Sequence, residues 1–220
     1  MALILSRKPS KTTADVTIHE VNYDDVIFRG VATIDEERKT AYPTVKPINC
    51  FDVENKQIAE WENSDNLEAV ISGGGRDTFG ISYFATDYAE NKALYHTNSK
   101  LNMAFSGILF VLDQGNDEQQ QLPDGTLFAE GFASYMPHES MGQFGCYDFM
   151  GILEDFREVS LLENNLISGY IIKVRLINNE EINDYFSIPM FVNKDHMRFS
   201  TLKKGMKING MFQLLAEIKR

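Results

Sequence analysis

A chain of 220 residues, 43% apolar and 11% aromatic, has enough apolar surface to order a core, which excludes global disorder. Its longest strongly apolar run, Ile108 to Leu112, falls far short of the roughly 20 residues of a membrane-spanning helix. A formal charge of −11 disfavours a nucleic-acid partner, since a polyanionic backbone is held by Lys and Arg.

At the start, Met1 to Leu5 precedes Arg7 and Lys8, the reverse of the charge order in a secretory signal, so the expected compartment is the cytoplasm. Val16 to Val21 and Val26 to Ile34 read as strands. A helix is expected around Asn66 to Ile71, capped by Ser64 or Asp65. Gly73-Gly74-Gly75-Arg76 has the glycines of a phosphate loop but neither the following Lys-Ser or Lys-Thr nor a helix to open. It reads instead as a hairpin turn or loop before a strand from Thr78 to Ala85. A second helix is expected over Tyr88 to Tyr95 after Thr86 or Asp87, then a strand from Ala104 to Leu112.

Asp113 to Gly125 is polar and turn-rich and marks a surface loop or boundary. It divides the chain into β-rich regions of residues 1–120 and 121–220, unless both share one domain. Strands follow at Thr126 to Tyr135 and Phe149 to Phe156, around an aperiodic stretch from Pro137 to Gly145. The C-terminal third is the most regular. Tyr170, Ile172, Val174 and Leu176 alternate with Lys173 and Arg175; Phe186, Ile188, Met190 and Val192 alternate around Pro189. Pro189 points to an edge strand, or to a strand in which it faces away from its neighbour. Met206, Ile208, Gly210, Phe212, Leu214, Ala216 and Ile218 form a third alternation after a turn at Lys203 to Gly205. An echo, Phe28-Arg29-Gly30-Val31, Phe105-Ser106-Gly107-Ile108 and Phe149-Met150-Gly151-Ile152, places glycine inside strands, as at bulges and barrel corners. The fold class is therefore mainly β, or a β-rich α+β arrangement: bent antiparallel sheets or small barrels with one or two short helices.

These C-terminal strands, the turn and Met206-Lys207-Ile208-Asn209-Gly210 resemble the later strands of an OB-like barrel. The resemblance implies an oligonucleotide- or sugar-binding face. Tyr185, Phe186, Phe191 and Phe199 beside Lys194, Arg198, Lys203, Lys204 and Lys207 are its candidate binding residues, with Phe186 on the core parity. From Phe186 onward seven basic residues meet two acidic ones, a basic segment on an acidic chain. It is either an interaction face or an internal interface.

Catalytic candidates are few. His138, Glu139, Cys146 and Asp148 form the one cluster with a candidate base, nucleophile and orienting carboxylate in a short span, although no family motif surrounds Cys146. Cys50 and Cys146 read as buried thiols. Asp87, Glu90, Asp148, Glu154 and Asp155 could supply a carboxylate pair, the minimum for glycoside hydrolysis, but proximity among 32 acidic residues is expected by chance. Tyr83, Tyr88 and Tyr95 follow packing-like spacing. His19, His96, His138 and His196 have no ligand spacing, so neither a metal nor a cofactor is expected. The leading expectation is a non-enzymatic binding protein, an acidic partner of a basic protein in the manner of bacterial immunity proteins, which are likewise small, acidic and free of motifs. The alternatives are a hydrolase using the His138 to Asp148 loop, or an oligonucleotide- or carbohydrate-binding barrel.

Overall fold

The computed structural model describes residues 2–5, 8–75, 79–115, 133–162, 166–179 and 184–219, and two sheets carry most of them. A four-residue helix, α1 (Ala2–Leu5), leads into β1 (Lys11–Thr12), β2 (Val16–Tyr23), β3 (Val26–Thr33) and β4 (Lys39–Val45). These strands pair antiparallel in chain order as a four-stranded meander. The second sheet contains β5 (Cys50–Glu60), β6 (Ala69–Gly75), β7 (Phe79–Ala85), β8 (Lys100–Gln114), β9 (Ser134–Pro137), β10 (Cys146–Leu161), β11 (Ile167–Asn179), β12 (Asp184–Asn193) and β13 (Lys207–Ile218). Helix α2 (Tyr88–Thr97) joins β7 to β8. The fold is mainly β, and no helix among the described residues is long and apolar enough to cross a membrane.

The nine-stranded sheet closes on itself twice. Strands β5, β6 and β7 form a meander; β5 pairs antiparallel with the first half of β8, and β7 pairs parallel with the last turns of β13. Strands β10, β11 and β12 form a second meander; β10 pairs antiparallel with the first half of β13, and β12 pairs parallel with β8. Because β8 and β13 pair antiparallel from Met103 to Gln114, each is a wall of both rings. Two five-strand circuits, one on each side of residue 120, thus exchange their last strands.

The second circuit repeats the first. Phe84 opposite Leu215 and Ala85 opposite Ala216 correspond, at one constant offset in sequence, to Phe191 opposite Ile108 and Val192 opposite Leu109. The same offset aligns Lys100-Leu101-Asn102 and Phe105 with Lys207-Ile208-Asn209 and Phe212. The residues facing Ala104 and Met211 are Cys50 and Asp148, and a register shift follows at the same step beyond each, at Asn55/Gln57 and at Leu153/Asp155.

One core runs through both rings, from Ile71, Tyr83 and Phe105 to Phe212, Val174 and Ile188. The alternation along β13 has its expected outcome, since Ile208, Phe212, Leu214 and Ala216 are buried. Gly107 sits where β8 leaves β5 for β12; a Cβ there would lie 3.1 Å from Phe212 Cδ2 and 3.2 Å from Met190 Cγ. Where β7 stands off from β13, the Tyr147 hydroxyl accepts from Ser82 N–H at 2.6 Å and donates to Ser82 C=O at 3.0 Å, replacing a ladder rung.

Several expectations are corrected. The helix around Asn66 to Ile71 is absent: Asp65 and Asn66 take left-handed φ of 51° and 65°, and Ala69 and Ile71 then point into the first ring on β6. Gly73 to Gly75 form the end of β6 rather than a turn, and a Cβ on Gly73 would lie 2.3 Å from the Glu54 carbonyl; Arg76 lies outside the described residues. Strand β12 is not an edge, for it pairs with β11 along its length and with β8 from Met190, immediately after Pro189. Most of the strand expected over Thr126 to Tyr135, and most of the Asp113 to Gly125 loop, lie outside the described residues; β9 begins at Ser134. The helix expected at Tyr88 is present, with Asp87 at its N-cap position.

Candidate functional site

The sequence candidates fall in three places. The loop from His138 to Gly145 returns β9 to β10, and the link between His138 and Cys146 is main-chain, His138 N–H to Cys146 C=O at 3.0 Å. The His138 Nδ1 faces the amide of Ser140 at 3.3 Å. The Cys146 side chain is buried, and burial pushes its thiol up to about 11, which opposes formation of the thiolate. Asp148 and Glu139 are exposed. Nothing in this geometry hands a proton from the thiol to the imidazole.

Three of the basic residues near the C-terminus face carboxylates on the strands. Lys194 pairs with Glu158 and lies over the Tyr170 ring at 5.2 Å; Arg198 meets Asp113 at 3.5 Å; Lys204 meets Asp155 at 2.6 Å. Lys203 and Lys207 flank the turn into β13. Phe186 is in the core and Phe191 is buried under the N-terminal sheet, while the Tyr185 side chain lies outside the description. Of the other carboxylates, Glu154 binds Lys173 and Arg175, both at 3.0 Å. Burial opposes its ionisation, but these two cations outweigh burial and hold it below its ordinary value. Tyr83, Tyr88 and Tyr95 are core residues. Among the described residues no group of three or more His, Cys, Asp and Glu is placed to hold a metal ion.

Two features that sequence reasoning missed lie where the N-terminal sheet meets the rings. The first is a polar seam. Arg29, central on β3, donates from Nε to Glu20 at 2.8 Å and from Nη1 to the Thr86 carbonyl at 2.7 Å, and its Nη2 meets Glu217 at 3.5 Å. The Tyr42 hydroxyl donates to the same Thr86 carbonyl at 2.7 Å. Beside them Asp87 accepts from Tyr95 and Asn91, each at 2.6 Å, and from the Ile218 amide at 3.0 Å. Burial raises both Asp87 and Glu217 above the ordinary carboxylate range, against the opposing bonds to Asp87 and the charge of Arg29. A cleft of about 560 Å3 opens along this seam, with Lys46 and Lys219 at its walls. Because the donors of Arg29 are spent on internal acceptors, the seam works as a fastening between layers.

The second is an aromatic pocket of about 180 Å3 lined by Tyr42, Trp61, Phe84, Phe110, Glu68 and Gln213, among others. Phe84 lies edge-on to Tyr42 with ring centroids 4.9 Å apart, and Trp61 stands 5.3 Å from Phe84 and 5.6 Å from Phe144. Glu68 Oε1 accepts from the Thr40 hydroxyl at 2.7 Å, and Gln213 donates to the Phe144 carbonyl at 3.0 Å. In the second ring the corresponding outer face carries Val159, Phe191 and Ile108 and is filled by Val26 and Val45 of the N-terminal sheet. In the first ring Trp61, whose main-chain N–H donates to the Glu68 C=O as Val159 opposes Gly169, stands in place of the valine. The sole tryptophan thus lines a half-open copy of a face that is closed on the other ring.

Comparison of the chain with protein-family models, with curated proteins and with solved structures finds no match.

Proposed function

We propose that the chain is a non-enzymatic binding protein, an acidic partner of a basic protein in the manner of immunity proteins. The observation that carries this reading is the pairing of three cations of the basic segment within the chain: Lys194, Arg198 and Lys204 lie against Glu158, Asp113 and Asp155. Those cations are then engaged within the chain, and the surplus of −11 is what an approaching partner meets. Cytoplasmic location belongs to the same reading, which two unbridged cysteines fit. We read both circuits as OB-like barrels, a reading supported by their five strands and matched registers. Since fold does not carry function, the OB-like reading does not add a nucleic-acid ligand.

The test is purification of the full chain from its native cell at low ionic strength. A basic protein is expected to co-purify and to leave as salt is raised, and the two purified proteins should recombine with salt-sensitive affinity. Recovery of the chain alone at low salt counts against the reading. A hydrolytic activity abolished by replacing Cys146 and His138 would replace it.

A further inference from the structure

We propose that the aromatic pocket on the first ring binds an organic cation, an alkylammonium group of the kind carried by a lysine side chain. The inference rests on the proposed basic partner and gives that partner an anchoring point.

Three observations converge on the pocket. Its lining includes a Trp, a Tyr and two Phe residues, whose π faces carry the negative end of the ring quadrupole and attract cations. One carboxylate, Glu68, lies in the same lining, held by Thr40 and facing no basic side chain in that lining. The Arg29 guanidinium, which approaches Tyr42 from the seam, is already opposed by Glu20 and Glu217. Finally, about 180 Å3 is below the roughly 300 to 1,000 Å3 of pockets for drug-sized ligands and suits a single small group. A polyanion is disfavoured by Glu68 and by the charge of the chain. On the related face of the second ring aliphatic Val159 stands in place of the tryptophan, and Val26 and Val45 pack against it, so the same position is filled by the chain itself.

Trp61 is the only tryptophan, so its fluorescence reports on the pocket directly. The full chain is titrated in parallel with choline, with its uncharged isostere 3,3-dimethyl-1-butanol, and with a capped lysine tripeptide. Choline or the tripeptide is expected to shift the emission with at least about tenfold higher affinity than the alcohol. The tighter of the two cations tells whether a free quaternary ammonium or a protein side chain is the natural occupant. Glu68→Gln is expected to weaken the cation by about threefold to fivefold and leave the alcohol unchanged. Equal affinity for choline and the alcohol overturns the proposal, as does an unmoved emission with both cations up to about 0.1 M. If these titrations fail while a basic protein still co-purifies, the pocket assignment falls and the binding function stands. If the cations bind and no partner is found, the reverse holds.

Discussion

Replacing Arg29 by methionine should separate the N-terminal sheet from the rings. The side chain is 11% exposed and engages Glu20, Glu217 and the Thr86 carbonyl, so the substitution strands two carboxylates and leaves Tyr42 as the remaining donor to Thr86. Breaking a buried ion pair by removing one partner costs about 3 to 5 kcal/mol. Glu20 and Glu217 are 27% and 31% exposed, so water recovers part of that cost, and the expected loss is about 2 to 3 kcal/mol. This is a large share of the roughly 5 to 15 kcal/mol that stabilises a domain. Urea unfolding followed by far-ultraviolet circular dichroism measures the total. Hydrogen exchange should show amides of β2 to β4 opening before those of β8 and β13, because the seam fastens one layer and the shared strands fasten the other. A loss below about 0.5 kcal/mol, or uniform exchange across both sheets, would refute the fastening role.

The pH dependence of the same seam has a definite sign. Asp87 and Glu217 are raised by burial, so the folded chain keeps their protons where the unfolded chain has lost them. The stability they contribute is full below the unfolded carboxylate values and declines as pH rises through the folded ones. Wild type should therefore lose stability relative to Glu217→Gln as pH rises above the unfolded carboxylate value of about 4, and a relative gain contradicts the assignment. With iodoacetamide near neutral pH, half-buried Cys50 should be labelled before Cys146, whose thiol is buried and raised to about 11; mass spectrometry showing equal rates would count against that burial. Gly151→Ala places a Cβ 2.7 Å from Val174 Cγ1 and 2.8 Å from the Arg175 carbonyl, and should cost about 1 to 3 kcal/mol in urea unfolding. Gly80→Ala meets nothing within 4 Å and should stay within about 0.5 kcal/mol; a reversal of the two would contradict the close packing of Gly151 against β11.

How much of this was legible depended on whether the signal was local. Strands β11, β12 and β13 were readable because one face is wet and the other buried, giving a clean period of two. Strands β4 and β6 were not. Pro43 interrupts β4, and β6 runs into Gly73, Gly74 and Gly75, whose missing side chains permit close strand crossing but hide the alternation. Leu215, off the core parity, is buried nevertheless because the N-terminal sheet covers the outer face of the ring. The Phe-x-Gly echo pointed to barrel corners, and Gly107 does sit where β8 changes partner. It nevertheless linked β8 to β10, which are not equivalent strands. The informative repeat, Lys-Leu-Asn before Phe105 and Lys-Ile-Asn before Phe212, was present in the sequence but becomes meaningful only when register shows β8 and β13 to occupy matching places. The seam and the aromatic pocket were illegible for a different reason. Arg29 and Glu217, or Tyr42 and Trp61, are brought together by docking of one sheet on another, which no spacing along the chain encodes.

The most direct test of the binding function is fluorescence anisotropy of labelled oligolysine, oligoglutamate and oligothymidylate with the full chain at low and at physiological salt. Binding of oligolysine alone, weakening as salt rises, is the expected result. Binding of oligothymidylate without oligolysine would contradict it and would favour the oligonucleotide-binding alternative.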